Sequence, residues 1–167
     1  MNVSHRLTVV LFPIGLLLII LSLAELAPAA VDAAYGNPDW KVFGLSSAIT
    51  FFIGVLLSLS NYSPELRLDL RQAFVLTVGS WVAVSVTGAM PFLLSHLSAD
   101  VSDAVFETVS GLTTTGSTVL SGLDDMPPGI LLWRGILQWL GGIGIVAMAV
   151  LMLPFLRIGG MQLFRME

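Results

Sequence analysis

One run of hydroxyl-bearing residues interrupts an otherwise oily chain: "GLTTTGSTVLSGLDD", from Gly111 to Asp125. The chemistry open to Thr114, Thr115, Gly116 and Ser117 is the coordination of a cation by oxygen. Taking a bare cation to the middle of a membrane costs on the order of tens of kcal/mol. Stacked rings of backbone carbonyls can replace the lost water. A loop presenting such carbonyls needs a glycine for conformations closed to other residues. Small flanking residues such as Thr113 and Ser117 add hydroxyl oxygens or tie the loop down. Serine and threonine runs are also common in ordinary surface loops, so the elements around the string decide its meaning.

Immediately before it, "SDAVFETVSGLT" from Ser102 to Thr113 has Val105, Phe106, Val109 and Leu112 near helical spacing, with Ser102 or Asp100 as the cap. A helix over 102–113 is about 18 Å long at 1.5 Å per residue, half a bilayer. Such a segment cannot span, so the chain must enter and leave on one side. That geometry is tolerated at membrane depth only where the non-helical backbone is buried in protein or lines a watery cavity. An amphipathic hairpin lying on the outer surface is the alternative. In the re-entrant reading, the helix end aims roughly half a negative charge at a cation just beyond Thr113.

The rest of the chain belongs in a membrane. Of 167 residues, 56% are hydrophobic and 11% charged, against roughly a quarter charged in soluble domains; the mean hydropathy is +0.92. Four runs, about Leu7 to Ala30, Val42 to Asn61, Ala73 to Leu97 and Ile130 to Leu156, match the ~20 residues a spanning helix needs. The first is longer than the roughly 7 to 15 apolar residues of a signal peptide, so it is read as a retained helix. Basic residues mark the cytoplasmic side. His5 and Arg6, Arg67 and Arg71, and Arg157 and Arg165 fall on one side, which places both termini in the cytoplasm. The acidic connection from Ser98 to Gly129 then faces outside. With no cysteine, thiolate metal sites and cysteine nucleophiles are excluded. The seven Lys and Arg are scattered, so nucleic-acid binding is dropped.

Punctuation refines the layout. Ser63-Pro64-Glu65 reads as the start of the third helix, with serine as cap and proline first. Asp124, Asp125, Pro127 and Pro128 mark the sharp start of the fourth near Gly129, the two acids reading as caps before they read as a cation-concentrating pore mouth. Arg134, about one turn into that helix, either pairs with Glu107, Asp124 or Asp125 or snorkels to the interface. Trp40, Trp81, Trp133 and Trp139 include interfacial anchors, and His96 is read as an interfacial side chain. "GGIGIVA", from Gly141 to Ala147, contains a G-x-G-x-x-A string, but it sits inside a membrane-length helix without a βαβ context. Close helix packing by small residues is the better reading. No metalloprotease, nucleophile-elbow or P-loop motif appears, so the chain is not expected to be an enzyme.

"FETVSGLTTTGSTVLSGLDDMPPGILLWRGILQWLGGIGIV" and the ending "LPFLRIGGMQLFRME" resemble the Trk/Ktr/HKT superfamily of cation transporters, most closely the TrkH and TrkG type of bacterial potassium-uptake subunit. The likeness is strong from Arg71 to Glu167, and the two leading helices look like the family's N-terminal pair. It implies an all-α membrane protein: four transmembrane helices plus one re-entrant pore helix and selectivity-filter loop. Residues 1–62 would be the helix pair, and 63–167 one helix, pore-loop, helix unit with its filter at 114–117. Family members carry four such units around a pseudo-fourfold pore, so the remaining repeats of a longer chain are implied partners. Filter roles carry over onto Thr114, Thr115 and Gly116, with Thr113 and Ser117 as flanks and potassium as the transported ion. Glycine at 116 resembles potassium-preferring members. A homodimer in the bacterial inner membrane and a cytoplasmic nucleotide-binding regulatory subunit of TrkA type are implied as well. A non-conducting packing or interaction module and a homotetrameric channel of four copies stay open as alternatives.

Overall fold

The half-length helix and its hydroxyl-rich string sit between spanning helices in the computed structural model. It describes residues 3–62, 68–95 and 100–163, with side chains described for 7–62, 68–95 and 100–150. The order is α1 (Val3–Ala34), α2 (Trp40–Ser60), α3 (Leu70–Gly88), α4 (Met90–Leu94), α5 (Val101–Leu112), a 3-10 turn (Leu123–Asp125) and α6 (Pro128–Leu163). Among the described residues, four segments are long and apolar enough to cross a membrane: Leu7–Ala34, Trp40–Ser60, Leu70–Leu94 and Pro128–Val150. All regular structure among the described residues is helical, as expected where every backbone group must be satisfied within its own segment.

Small residues bring α1 and α2 together. The face of Gly15 lies against the Gly54 carbonyl and Ser58, and a side-chain carbon at Gly54 would meet the Gly15 carbonyl at 2.8 Å. The Ser47 hydroxyl donates to the Ser22 carbonyl at 2.7 Å, locking the antiparallel register. Van der Waals contact between close backbones, with an occasional hydroxyl bond, is the usual basis of helix association in lipid.

The third helix opens at Leu70. Asp69 is its cap: its carboxylate accepts the Gln72 N–H at 2.7 Å, and the Gln72 side chain accepts the Asp69 N–H at 2.9 Å. This reciprocal box satisfies two otherwise orphaned donors. The expected cap at Ser63-Pro64-Glu65 lies outside the described residues, and residues 68–69 precede the helix without belonging to it. At its C-terminal end the helix breaks at Ala89, ahead of Pro91, and resumes as α4. The freed Gly88 carbonyl accepts the Trp133 indole N–H at 3.0 Å. Trp133 is therefore a core residue and not an interfacial anchor; it is fully buried and meets Phe43 edge-on at 6.4 Å between centroids. Trp40 and Trp139 are exposed, and Trp81 is half-buried. His96 lies outside the described residues.

Phe43, Phe92, Ala104, Leu112, Ile130, Trp133 and Leu137 form the buried centre where α2, α4, α5 and α6 meet. The α5 helix is seated on α6 through its last turn. A side-chain carbon at Gly111 would stand 3.0 Å from Leu137, and one at Gly141 would collide with the Leu112 carbonyl. Gly141, the first glycine of the "GGIGIVA" string, thus permits close approach of α6 to the end of α5, which is the packing role expected of it.

Candidate filter loop

The α5 helix ends at Leu112, and its terminal carbonyls are consumed by the residues that follow. Thr113 N–H reaches Val109 O at 2.8 Å, Thr114 N–H reaches Gly111 O at 2.9 Å, and Thr115 N–H reaches Ser110 O at 3.0 Å. Gly116 N–H shares the Ser110 carbonyl at 3.3 Å. The loop's amides are therefore turned back onto the helix. Among the described residues, no donor reaches the carbonyls of Thr114, Thr115 or Gly116, and all three residues are exposed. A short segment with its amides used and its carbonyls free is an oxygen-presenting surface.

Two left-handed residues set this shape. Gly116 has φ +75°, which glycine reaches without penalty, and Thr114 has φ +57°, which a β-branched residue rarely adopts. Such a backbone costs on the order of 1–3 kcal/mol and persists only where the surroundings over-determine it. The surroundings here are specific. The Ser110 hydroxyl donates to the Ser117 carbonyl at 2.6 Å, and the Thr113 and Thr115 hydroxyls are 2.8 Å apart. Beyond Ser117 the chain is held by a carboxylate on the helix it left. Glu107 Oε1 accepts the Thr118 hydroxyl, the Val119 N–H at 2.7 Å and, at the long distance of 3.4 Å, the Leu120 N–H. Its other oxygen accepts the Arg134 Nε–H at 2.9 Å.

Arg134 therefore pairs, and of the three acids open to it the partner is Glu107. Glu107 is 2% exposed and the Arg134 side chain 15%. A charge pair this far from solvent persists only when its remaining lone pairs are also satisfied, and three donors from the returning strand do that. Underneath the loop, Gln138 of α6 brings its Nε2 to 3.8 Å from where a side-chain carbon at Gly116 would stand.

The face of α5 was not legible as the structure has it. Its apolar positions Phe106 and Val109 are exposed at 43% and 40%, whereas Ala104, Glu107, Thr108, Ser110, Gly111 and Leu112 are buried. Helical spacing identified the helix, but the side turned to the rest of the chain is the polar and small one. Asp100 takes the cap position with extended backbone, without a side-chain cap bond.

The acids before α6 also differ from expectation. Asp124 and Asp125 lie exposed in the 3-10 turn, and the carboxylate that caps α6 comes from α1. Asp32 Oδ1 accepts the Gly129 N–H at 2.7 Å across 97 residues of sequence. Sequence reasoning passed over this contact; its one local signal was a glycine directly after two prolines at a helix start.

Known proteins bear on this geometry. Residues 40–167 match the TrkH family, described as cation transport protein. The Trk system potassium uptake protein TrkI of Halomonas elongata is 41% identical over 163 residues, covering 98% of this chain and 33% of that protein. TrkH of Escherichia coli K12, of the same description, is 40% identical over 155 residues, covering 92% of this chain and 32% of its own length. The crystal structure of the potassium transporter TrkH from Vibrio parahaemolyticus superposes with a TM-score of 0.86 at 38% identity, over 92% of this chain and 33% of that one. The chain spans about a third of the length of the relatives it matches. It belongs to the TrkH family of cation transport proteins.

Proposed function

We propose that this chain supplies one of four loops that strip water from potassium and pass it through a bacterial inner membrane. The observation that carries the reading is the set of free carbonyls on Thr114, Thr115 and Gly116 at the end of a half-length helix. Thr113 and Ser117 tie that loop to itself and to Ser110. The α5 helix is the pore helix of this reading: its carboxyl end adds about half a negative charge beside the loop. One loop provides a quarter of each carbonyl ring, so the other three come from further helix, pore-loop, helix units. The exposed Phe106 and Val109 of α5 suit contact with them. Residues 1–62 act as a supporting helix pair and 63–167 as the first pore unit, with both termini in the cytoplasm. Names of the relatives, all Trk potassium uptake proteins, support potassium as the ion. A dimeric transporter regulated by a TrkA-type nucleotide-binding subunit completes the assignment.

Complementation tests it. A potassium-uptake-deficient bacterium at low potassium receives either this chain alone or the chain joined to the reading frame downstream of Glu167. Growth restored only by the extended product supports a quarter-pore contribution. Growth restored by the chain alone means four copies assemble a pore. No growth with either, despite verified membrane insertion, rejects the potassium reading in favour of a packing module.

A further inference from the structure

The N-terminal helix pair reaches the filter loop through one carboxylate. Asp32, near the outer end of α1, is fully buried and accepts the Gly129 N–H at 2.7 Å. Gly129 is the second residue of α6, after a Pro128 that has no N–H, so its amide is the first donor the helix exposes. The next two amides, of Ile130 and Leu131, return to the Pro127 carbonyl. A carboxylate at this point also faces the positive end of the helix dipole. Contact is tight enough that a side-chain carbon at 129 would collide with the Asp32 carboxyl. The pair fits because residue 129 is glycine.

Five residues along the same helix stands Arg134, which holds Glu107, which holds Thr118 and Val119. We propose that Asp32 is a positioning residue for the filter loop. By fixing the first amide of α6, it sets the height and rotation at which Arg134 presents itself to Glu107, and so where the returning strand lies. The inference deepens the functional reading above and rests on it for its link to transport.

Asp32→Ala, Gly129→Ala and the double variant are compared in the protein as its gene encodes it. Two properties are read: the apparent KM for potassium uptake, and hydrogen exchange of the Thr118–Leu120 amides. Each single variant is expected to raise KM about tenfold, the low end of the scale for one lost hydrogen bond to a charged group, and to speed exchange at Val119, at an unchanged amount in the membrane. The double variant should be no worse than either single one, because both remove the same contact. Asp32→Asn keeps an accepting oxygen and should recover most of the loss. Additive effects, or an Asp32→Ala protein reduced only in membrane level with KM and exchange unchanged, would overturn the proposal. Should Asp32→Ala not accumulate, Gly129→Ala carries the same test with the carboxylate still present. A wild-type protein that moves no potassium defeats the functional reading, while the exchange measurement still decides the role of Asp32.

Discussion

Two buried glutamates, Glu107 in the loop-bearing unit and Glu25 in the N-terminal helix pair, live under opposite conditions. Glu107 receives the Thr118 hydroxyl, the Val119 N–H and the Arg134 guanidinium, with Leu120 N–H at the edge of reach. Glu25 is fully buried in α1, and among the described residues no cation and no backbone N–H reaches it; its polar neighbours are the Ser46 and Thr50 hydroxyls of α2. Both hydroxyls are buried with it. The difference follows from what the backbone needs. In α1 and α2 the main chain satisfies itself and small residues supply cohesion, whereas the strand after Ser117 has amides that no helix or sheet accepts. The Glu107 carboxylate replaces missing secondary structure; the Glu25 carboxyl replaces none.

The strongest way to break this comparison is Glu107→Ala. It strands the Arg134 charge and leaves the Val119 amide and Thr118 hydroxyl without their acceptor. Removing one member of a buried charge pair costs about 3–5 kcal/mol. Thermal unfolding in detergent should show a loss of that size, and potassium-limited growth should fail. An unfolding free energy within about 1 kcal/mol of wild type would mean that the loop does not depend on Glu107.

Next in size is Gly116→Ser. The nearest atom to a new side-chain carbon would be Gln138 Nε2 at 3.8 Å, so space is adequate and the penalty comes from the φ of +75°. Roughly 1–3 kcal/mol of backbone strain should move the carbonyls and lower discrimination of potassium over sodium in competitive uptake, at near-normal membrane levels. Gly44→Ala is the matching control in the helix pair. That residue lies inside α2 with nothing within 4 Å of the added carbon, so uptake selectivity should not change. Equal effects at the two glycines would erase the distinction between the regions.

The parts legible in sequence were those decided by local composition. The four spans, the half-length α5 and the left-handed glycine at 116 follow from apolar length, helical spacing and the special freedom of one residue. What stayed hidden depends on partners far away in the chain. The α6 cap at Asp32 lies 97 residues from its amide, while the adjacent Asp124 and Asp125 gave a local pattern that misled. Likewise, periodicity can find a face on α5 but not its destination. Phe106 and Val109 look like core residues until Glu107 is seen gripping the returning strand, which turns the polar face inward. Trp133 looked interfacial by residue type, and only the break at Ala89 reveals the carbonyl its indole serves.

The finest test of the comparison is Glu25→Met, for which almost no effect is expected. An unbranched thioether fills a similar space and adapts to irregular gaps. The Ser46 and Thr50 hydroxyls can turn to the carbonyls one helical turn back, as hydroxyls in membrane helices often do. Replacing a buried carboxyl that meets neither a cation nor a backbone amide by an apolar group of like shape, with its hydroxyl neighbours free to turn away, is nearly neutral or stabilising. Melting in detergent should therefore give a stability within about 1 kcal/mol of wild type, at or above it, with potassium uptake unchanged. A loss approaching that of Glu107→Ala would show that the Ser46 and Thr50 hydroxyls hold Glu25 in place, and the helix pair would then be as dependent on a buried carboxyl as the loop-bearing unit. A gain would identify Glu25 as a stability cost carried by α1, in contrast to Asp32 of the same helix, whose carboxylate accepts the Gly129 N–H.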